Sequence, residues 1–265
     1  MKTLLALNRF PVAFVALIAM FCLGLAPAAE PVVRVLIFSG QNNHDWRATT
    51  PKLKSILESS GRFTVDVTEH PEQCNATTFA KYDVLLSNWN TYGQPTVTNW
   101  PTTMREAFLH FVRDGKGFVS IHAGSSAFYD WSEYQQIVGG TWKTGQTGHG
   151  PLHEFPVKIV NEKHPITEGL TNFVTTDELW HRTDLQTNIQ ILATAYSAPQ
   201  WEGTGKDEPV AFVTQFGLGR GFNLLLGHNP AAMDAAGFQQ LLRRGTEWAA
   251  TGKVTTAQIE SNQRK

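Results

Sequence analysis

Cysteine is nearly absent from this chain. Two occur in 265 residues, Cys22 and Cys74, too few for the disulfide framework that staples small exported domains. Charge of one sign is absent too. Twenty-two Lys and Arg stand against 23 Asp and Glu, a formal net charge of −1. With no basic face or charge block, nucleic acid is excluded as a partner class. No internal repeat or low-complexity linker interrupts the sequence. No apolar run reaches the ~20 residues of a membrane span; the longest, Pro11 to Leu25, falls short. A nucleotide loop is missing as well. Gly217, Gly219 and Gly221 lie in a predicted hairpin, Phe216 to Phe222, and open no helix, which excludes a nucleotide cofactor.

What is present begins with a leader. Lys2 and Arg9 precede the apolar run, and Ala26-Pro27-Ala28-Ala29 supplies small residues for cleavage, so residues 1–29 read as a secretory signal peptide. Cys22 is not read as a lipidation site, because Ala19-Met20-Phe21 before it lacks the Leu and small-residue pattern. A secreted or periplasmic protein is expected, with no membrane span after cleavage and a net charge of −3 once Lys2 and Arg9 are removed. Cys74 would then be the only thiol. Glu69 and Glu72 stand near it and favour its neutral form, which reads as a packed thiol rather than a nucleophile. Residues 30–252 are expected to form one domain, and 253–265 a polar tail.

Near-continuous apolar runs predict strands buried on both faces at Val32 to Phe38, Tyr82 to Ser87 and Gly117 to Ile121, with a further strand at Phe63 to Thr68. Helices are predicted over Thr50 to Ser60, with Pro51 in its first turn, and over Thr102 to Asp114. This alternation implies a parallel, doubly wound sheet. After a short helix at Trp131 to Val138 the pattern turns β-rich, with strands at Glu154 to Val160, Gln190 to Ala195, Val210 to Phe216 and Gly221 to Leu226 and a closing helix at Phe238 to Ala250. Ligands of such sheets bind beyond the carboxyl ends of the strands. Three segments should meet there: the loop from Gln41 to Trp46, the loop from Asn88 to Gly93, and the bend at His122. In many α/β enzymes that bend holds the nucleophile. Here Ile121-His122-Ala123-Gly124 carries an imidazole and no thiol or hydroxyl.

Several landmarks recur together: Ser39-Gly40 with His44-Asp45-Trp46, Tyr82 to Leu85, Gly117 to Gly124, Phe128 to Trp131, Val138-Gly139-Gly140, His164 to Leu170, Thr176-Asp177-Glu178-Leu179 and Gly227-His228-Asn229-Pro230. In these the chain resembles the ThuA-like (trehalose utilisation) family, a branch of the class I glutamine amidotransferase-like fold. The resemblance implies a flavodoxin-like, three-layer sandwich with a mostly parallel central sheet and a β-rich C-terminal half. It also implies a sugar-active hydrolase, lyase or isomerase linked to trehalose and 3-keto disaccharides. Amidotransferases carry Cys at the bend and His-Pro on a late strand. This chain has His122 and His228-Asn229-Pro230, which removes glutaminase chemistry.

The candidate catalytic residues are His122, Glu178 and His228. Candidate metal ligands are His122, His149, His153 and His181, within a wider set that adds His44, Glu178 and His228, for one divalent ion, zinc because imidazole and carboxylate together suit zinc or another first-row ion. The His149-x-x-x-His153 spacing is no zincin motif, since Gly150-Pro151 breaks a helix. Candidate substrate-binding residues are His44, Asp45, Trp46, Asn88, Trp89, Asn90, Tyr129, Trp131 and Trp180, with Asn43, Tyr92 and Trp142 beside them in or next to the site loops, because aromatic faces suit the CH faces of pyranose rings and amides suit hydroxyls. The expected partner is a small carbohydrate, with oligomeric state left open. Structural alternatives stand beside each residue: Asp45 as partner of His44 or as a helix N-cap, His122 as a backbone brace, the tryptophans as ordinary packing. Two further readings also stand, a non-catalytic sugar- or metal-binding module and an amidotransferase-derived subunit of a larger assembly.

Overall fold

The computed structural model describes residues 30–92 and 100–255. The leader, Gly93 of the loop named above, and the tail beyond residue 255 lie outside the described residues. In chain order the strands are β1 (Val33–Phe38), β2 (Phe63–Thr68), β3 (Val84–Ser87), β4 (Gly117–Ile121), β5 (Gly140–Thr141), β6 (Gly148–His149), β7 (His153–Ile159), β8 (Phe173–Asp177), β9 (Trp180–His181), β10 (Asp184–Leu185), β11 (Gln190–Ser197), β12 (Lys206–Phe216) and β13 (Gly219–Leu224). The helices are α1 (Trp46–Glu58), α2 (Ala76–Phe79), α3 (Thr102–Arg113), α4 (Ser132–Val138) and α5 (Ala236–Thr251).

One large sheet runs in the order β2-β1-β3-β4-β13-β12-β11-β7-β8. Pairing is parallel from β2 through β13 and antiparallel from there to β8. Only β12 and β7 therefore oppose the common direction. The carboxyl ends of β1, β3, β4, β8 and β13 all face one edge, and the loops that leave them build the site.

Alternate residues of each strand feed two cores. Val33, Val35 and Ile37 of β1 pack with Leu53, Ile56 and Leu57 of α1 and with Phe238, Leu241 and Leu242 of α5. Leu36 and Phe38 face the other way, towards Met104 and Phe108 of α3 and Tyr134 and Ile137 of α4. That period of two, with apolar residues on both faces, is what a strand buried between helical layers requires. Among the described residues no helix is long and apolar enough to cross a membrane.

The sequence places the first helix a turn too late. The Asp45 carboxylate accepts from Ala48 N at 3.2 Å, which caps a helix starting at Trp46, so Pro51 falls in the interior rather than the first turn. Strand β8 has no counterpart among the predicted strands, because Phe173-Val174-Thr175-Thr176-Asp177 is short and half polar. β13 begins two residues earlier than expected, at Gly219. Cys74 is buried, and burial, reinforced by Glu72, pushes its thiol up to about 11.

Asp83, just before β3, ties the sheet together electrostatically. It accepts from Arg34 N at 3.0 Å, from Arg34 Nη2 at 2.9 Å and from Lys116 Nζ at 2.8 Å. Burial opposes its charge, but these donors hold its carboxyl well below the usual range. A depressed folded-state pKa stabilises above the unfolded value of ~3.9 and is lost as pH falls towards the folded one. Asp83→Asn should therefore cost about 2 kcal/mol at neutral pH, a gap that closes in acid. Urea unfolding of both proteins at neutral pH and near pH 3 checks this, and an unchanged gap at both would refute it.

Candidate functional site

The bend after β4 sets the geometry. His122 has φ +45, a left-handed conformation that is costly for a side-chain-bearing residue and collects at functional sites. The turn closes tightly under it. A Cβ on Gly124 would meet Ser87 O at 2.3 Å, so only glycine fits there, and Tyr134 Oη donates to Gly124 O at 2.9 Å. His122 Nδ1 lies 2.8 Å from Leu225 O. A carbonyl only accepts, so Nδ1 carries a proton; Nε2 keeps its lone pair in the neutral ring and donates in the imidazolium. That buried Nε2 has no hydrogen-bond partner. Its neighbour is Glu178 Oε2 at 3.4 Å.

Glu178 reaches this point from β8, at the far edge of the sheet. Asp177, fully buried, explains how. Its carboxylate accepts from Gly227 N at 2.7 Å, His228 N at 3.1 Å and Glu178 N at 2.8 Å, binding the end of β8 to the loop after β13. Around Glu178 then stand Trp180 Nε1 at 3.2 Å, His228 Nδ1 at 3.4 Å and His149 Nδ1 at 3.1 Å. Burial opposes its charge, but His122 and His228 overcome this and hold it well below the usual carboxylate range. In return the Glu178 contact raises His228, against burial. His44 moves the other way. Burial, then the charges of His122 and His228, push it down to about 3.

His44, His122, Glu178 and His228 each offer one ligand atom, all within 4.8 Å of one another. Three imidazoles and a carboxylate suit zinc or another first-row divalent ion. The buried, unpartnered His122 Nε2 and His228 Nδ1 are what a missing cation would leave, so the residues present fit such an ion and could hold one. His149 adjoins the group through Glu178. The structure places His153 and His181 outside it. His153 stacks on Trp201, with ring centroids 5.0 Å apart. His149 pairs with Trp180 across β6 and β9, and His181, next along β9, pairs with Gly148 instead.

A cavity of about 350 Å³ opens onto the cluster, lined by Asn43, His44, Tyr92, Ala123, Ser126, Trp142, His149, Glu178, Trp180 and His228. Trp142 meets Trp180 edge-on at 5.0 Å and Tyr92 at 5.7 Å, giving an aromatic wall beside the ionic group. Of the residues expected to bind substrate, Asn43, His44, Tyr92, Trp142 and Trp180 line this space. The others are placed differently. Asp45 caps α1. Trp46 stacks under the Arg47 guanidinium at 4.2 Å and lines a separate cavity along α1. Asn88 Nδ2 is held by Thr49 and Thr50, and Asn90 Nδ2 by Asn42 and Asn43. Trp89 and Trp131 are buried in the aromatic core with Trp100 and Phe128. Tyr129 is half-buried, and burial pushes its hydroxyl up to about 12. Sequence reasoning gives no role to Asp177, Asn42 or Ser126. Asp177 has one signal, its place directly before Glu178.

Comparison with known proteins gives a consistent picture. The family model described as trehalose utilisation, ThuA, matches residues 34–249. A ThuA-like protein from Parabacteroides merdae is 34% identical, covering 85% of this chain and 92% of that one, with a TM-score of 0.76. A ThuA-like protein from Bacteroides uniformis is 19% identical over 88% of this chain and 99% of its own, TM-score 0.65. A GMP synthase subunit from Thermoplasma acidophilum is 11% identical over 89% and 100%, TM-score 0.50. The last two share the fold alone. No curated protein matches the chain significantly.

Asp177 supplies a direct test of how the site is held. Asn in its place keeps one acceptor oxygen and sets an NH2 against backbone N–H groups. Asp177→Asn should destabilise the fold by about 2–3 kcal/mol, since buried donors lose their acceptor, measured as a fall in urea midpoint at unchanged slope. A midpoint equal to wild type would show that Asp177 does not bind the two loops.

Proposed function

The chain belongs to the ThuA family, which gives it a carbohydrate-related role, and from that premise we propose an exported, carbohydrate-active enzyme. Its substrate is a disaccharide or an oxidised, 3-keto glycoside. The reaction is hydrolysis, elimination or isomerisation by metal- or His/Glu-assisted proton transfer, the ion being zinc by donor set. The observation that carries this is the union of two chemistries in one cavity: an aromatic wall for a sugar ring and a Glu178–imidazole cluster at its side.

Each residue has a task on this reading. Trp142, Trp180 and Tyr92 present flat apolar faces with polar edges, which suit the CH faces of a pyranose. His44, His122, His228 and Glu178 would hold the ion. When bound, the ion would polarise the substrate's keto oxygen and acidify the neighbouring C–H. Glu178 is ionised and a weak base, so its work is to hold charge and orient His122 and His228. His149 donates Nδ1–H to Gly150 O at 2.8 Å, which leaves Nε2 as its basic atom. In an elimination, that base removes the C2 proton beside the C3 ketone. The C1–O bond then breaks as the C1–C2 double bond forms, and the departing oxygen takes up a proton.

Plasma mass spectrometry on the purified protein is the first test. Near-stoichiometric metal is expected in wild type, with loss in His122→Ala. Uptake by metal-free protein should strengthen as pH rises through and above ~6.5, because His228 holds its proton more tightly than free imidazole and the ion must displace it. Turnover of 3-keto glycosides should fall on chelation and by roughly 100-fold or more in Glu178→Gln. Tight sugar binding without turnover in wild type would favour a binding module, and full turnover in Glu178→Gln would remove Glu178 from the chemistry.

Export has its own check. The protein recovered from the periplasm or medium should lack residues 1–29, which intact mass reads directly. An uncleaved chain confined to the cytoplasm would overturn that part of the proposal.

A further inference from the structure

His44 comes to the cluster from the loop after β1, and one neighbour decides where its proton sits. Asn42 Oδ1 lies 2.8 Å from His44 N and 3.1 Å from His44 Nδ1. The same oxygen accepts from Asn90 Nδ2 at 2.8 Å. The orientation of the Asn42 amide is forced at both ends. A backbone N–H only donates, so the atom facing His44 N is oxygen. At the other end Nδ2 lies 3.1 Å from Asn88 O, which only accepts. With Oδ1 fixed as an acceptor, His44 Nδ1 must be the donor, and Nε2 keeps the lone pair.

We infer that Asn42 is a positioning residue: through Oδ1 it holds His44 as the Nδ1–H tautomer and so presents the Nε2 lone pair to the group formed by His122, Glu178 and His228. Leu225 O does the same for His122 from a different loop. Two imidazoles thus reach one point with the same nitrogen, Nδ1, committed, each fixed by an oxygen outside the cluster. A ring that relays protons must exchange them through both nitrogens, and a ring with Nδ1 committed to an acceptor does not. Fixed outer partners of this kind orient ligands. The inference about His44 itself stands on hydrogen bonds alone; its consequence for metal affinity rests on the metal reading above.

The tautomer is directly measurable. Protein labelled with 15N-histidine, freed of metal, gives long-range 1H–15N correlations that separate Nδ1–H from Nε2–H imidazoles, and His44→Gln identifies the His44 signals. Wild type should show His44 as Nδ1–H. Asn42→Leu, which removes the acceptor, should move it to the Nε2–H form that free neutral imidazole favours. Asn42→Asp, which restores an acceptor oxygen, should return it to Nδ1–H. Zinc titration by calorimetry should find Asn42→Leu weaker by about 10–100-fold, with Asn42→Asp recovering most of the loss. An Nε2–H signal for His44 in wild type, or an unchanged tautomer in Asn42→Leu, would overturn the inference. Should Asn42→Leu fail to fold, the wild-type spectrum still decides whether His44 is the Nδ1–H form. Zinc binding to none of the proteins would instead refute the metal reading, while the spectra decide the role of Asn42.

Discussion

A carboxylate in a place that disfavours it organises the open end of this molecule. Glu178 is nearly enclosed, and burial alone would keep it neutral. Its oxygens instead face imidazole nitrogens, among them His122 Nε2, whose ring is oriented by Leu225 O through Nδ1. A carboxylate buried so far needs positive charge beside it. The neighbouring imidazoles supply it when protonated, His228 among them with its affinity for a proton raised, and a cation is a further source that the four donors could hold. Either way, the balance of charge around Glu178 sets the protonation of its neighbours.

The fold makes that arrangement by an economy of direction. Because β8 points the same way as the parallel strands, its last residue delivers Asp177 and Glu178 to the edge where the other loops emerge. Two functions fall on consecutive residues. Asp177 takes backbone amides from the loop after β13, and Glu178 faces the cavity. The antiparallel half of the sheet therefore supplies the acid that the parallel half lacks. The packing of α5 on β8 supports this, since a side chain on Gly237 would collide with the Phe173 ring.

Much of the frame is legible in the sequence because its causes are local. Runs such as Val84-Leu85-Leu86 have no polar face and can only be central strands, and a histidine directly after β4 marks the bend whatever its chemistry. His122, Glu178 and His228 stand out by such positions, and the structure gathers them with His44, which the sequence offers both as a substrate contact and among the possible ligands. What is illegible depends on which side of a short element a residue faces. β9 has two residues, so Trp180 and His181 part company within one peptide. Trp89 and Trp131 border site loops in sequence, yet the aromatic core with Trp100 takes their rings. Asn88 and Asn90 look free to bind hydroxyls, but threonines and neighbouring asparagines already use their amides. Pro51 misleads because a proline in the first turn is the commoner arrangement, whereas Asp45 caps the helix a turn earlier.

The likeness to the amidotransferase fold sharpens what an imidazole at the bend can do. A thiol there, made anionic, attacks a carbonyl carbon and carries the acyl group as a covalent intermediate. His122 keeps the strained backbone that projects a side chain from the sheet, but its ring is pinned through Nδ1 and wedged between His44, Trp180 and His228, with ring centroids 4.9, 5.1 and 5.3 Å away. Nε2 is buried and faces a carboxylate, with no open approach for a carbon atom. The same position therefore passes from bond-making to electrostatics. Its strained backbone fixes a nitrogen beside Glu178, where a small cation or a proton could sit, and the neighbouring cavity carries the indole wall. On such a fold the bend specifies location, and the residue placed there, with the oxygen that fixes its tautomer, specifies the kind of chemistry.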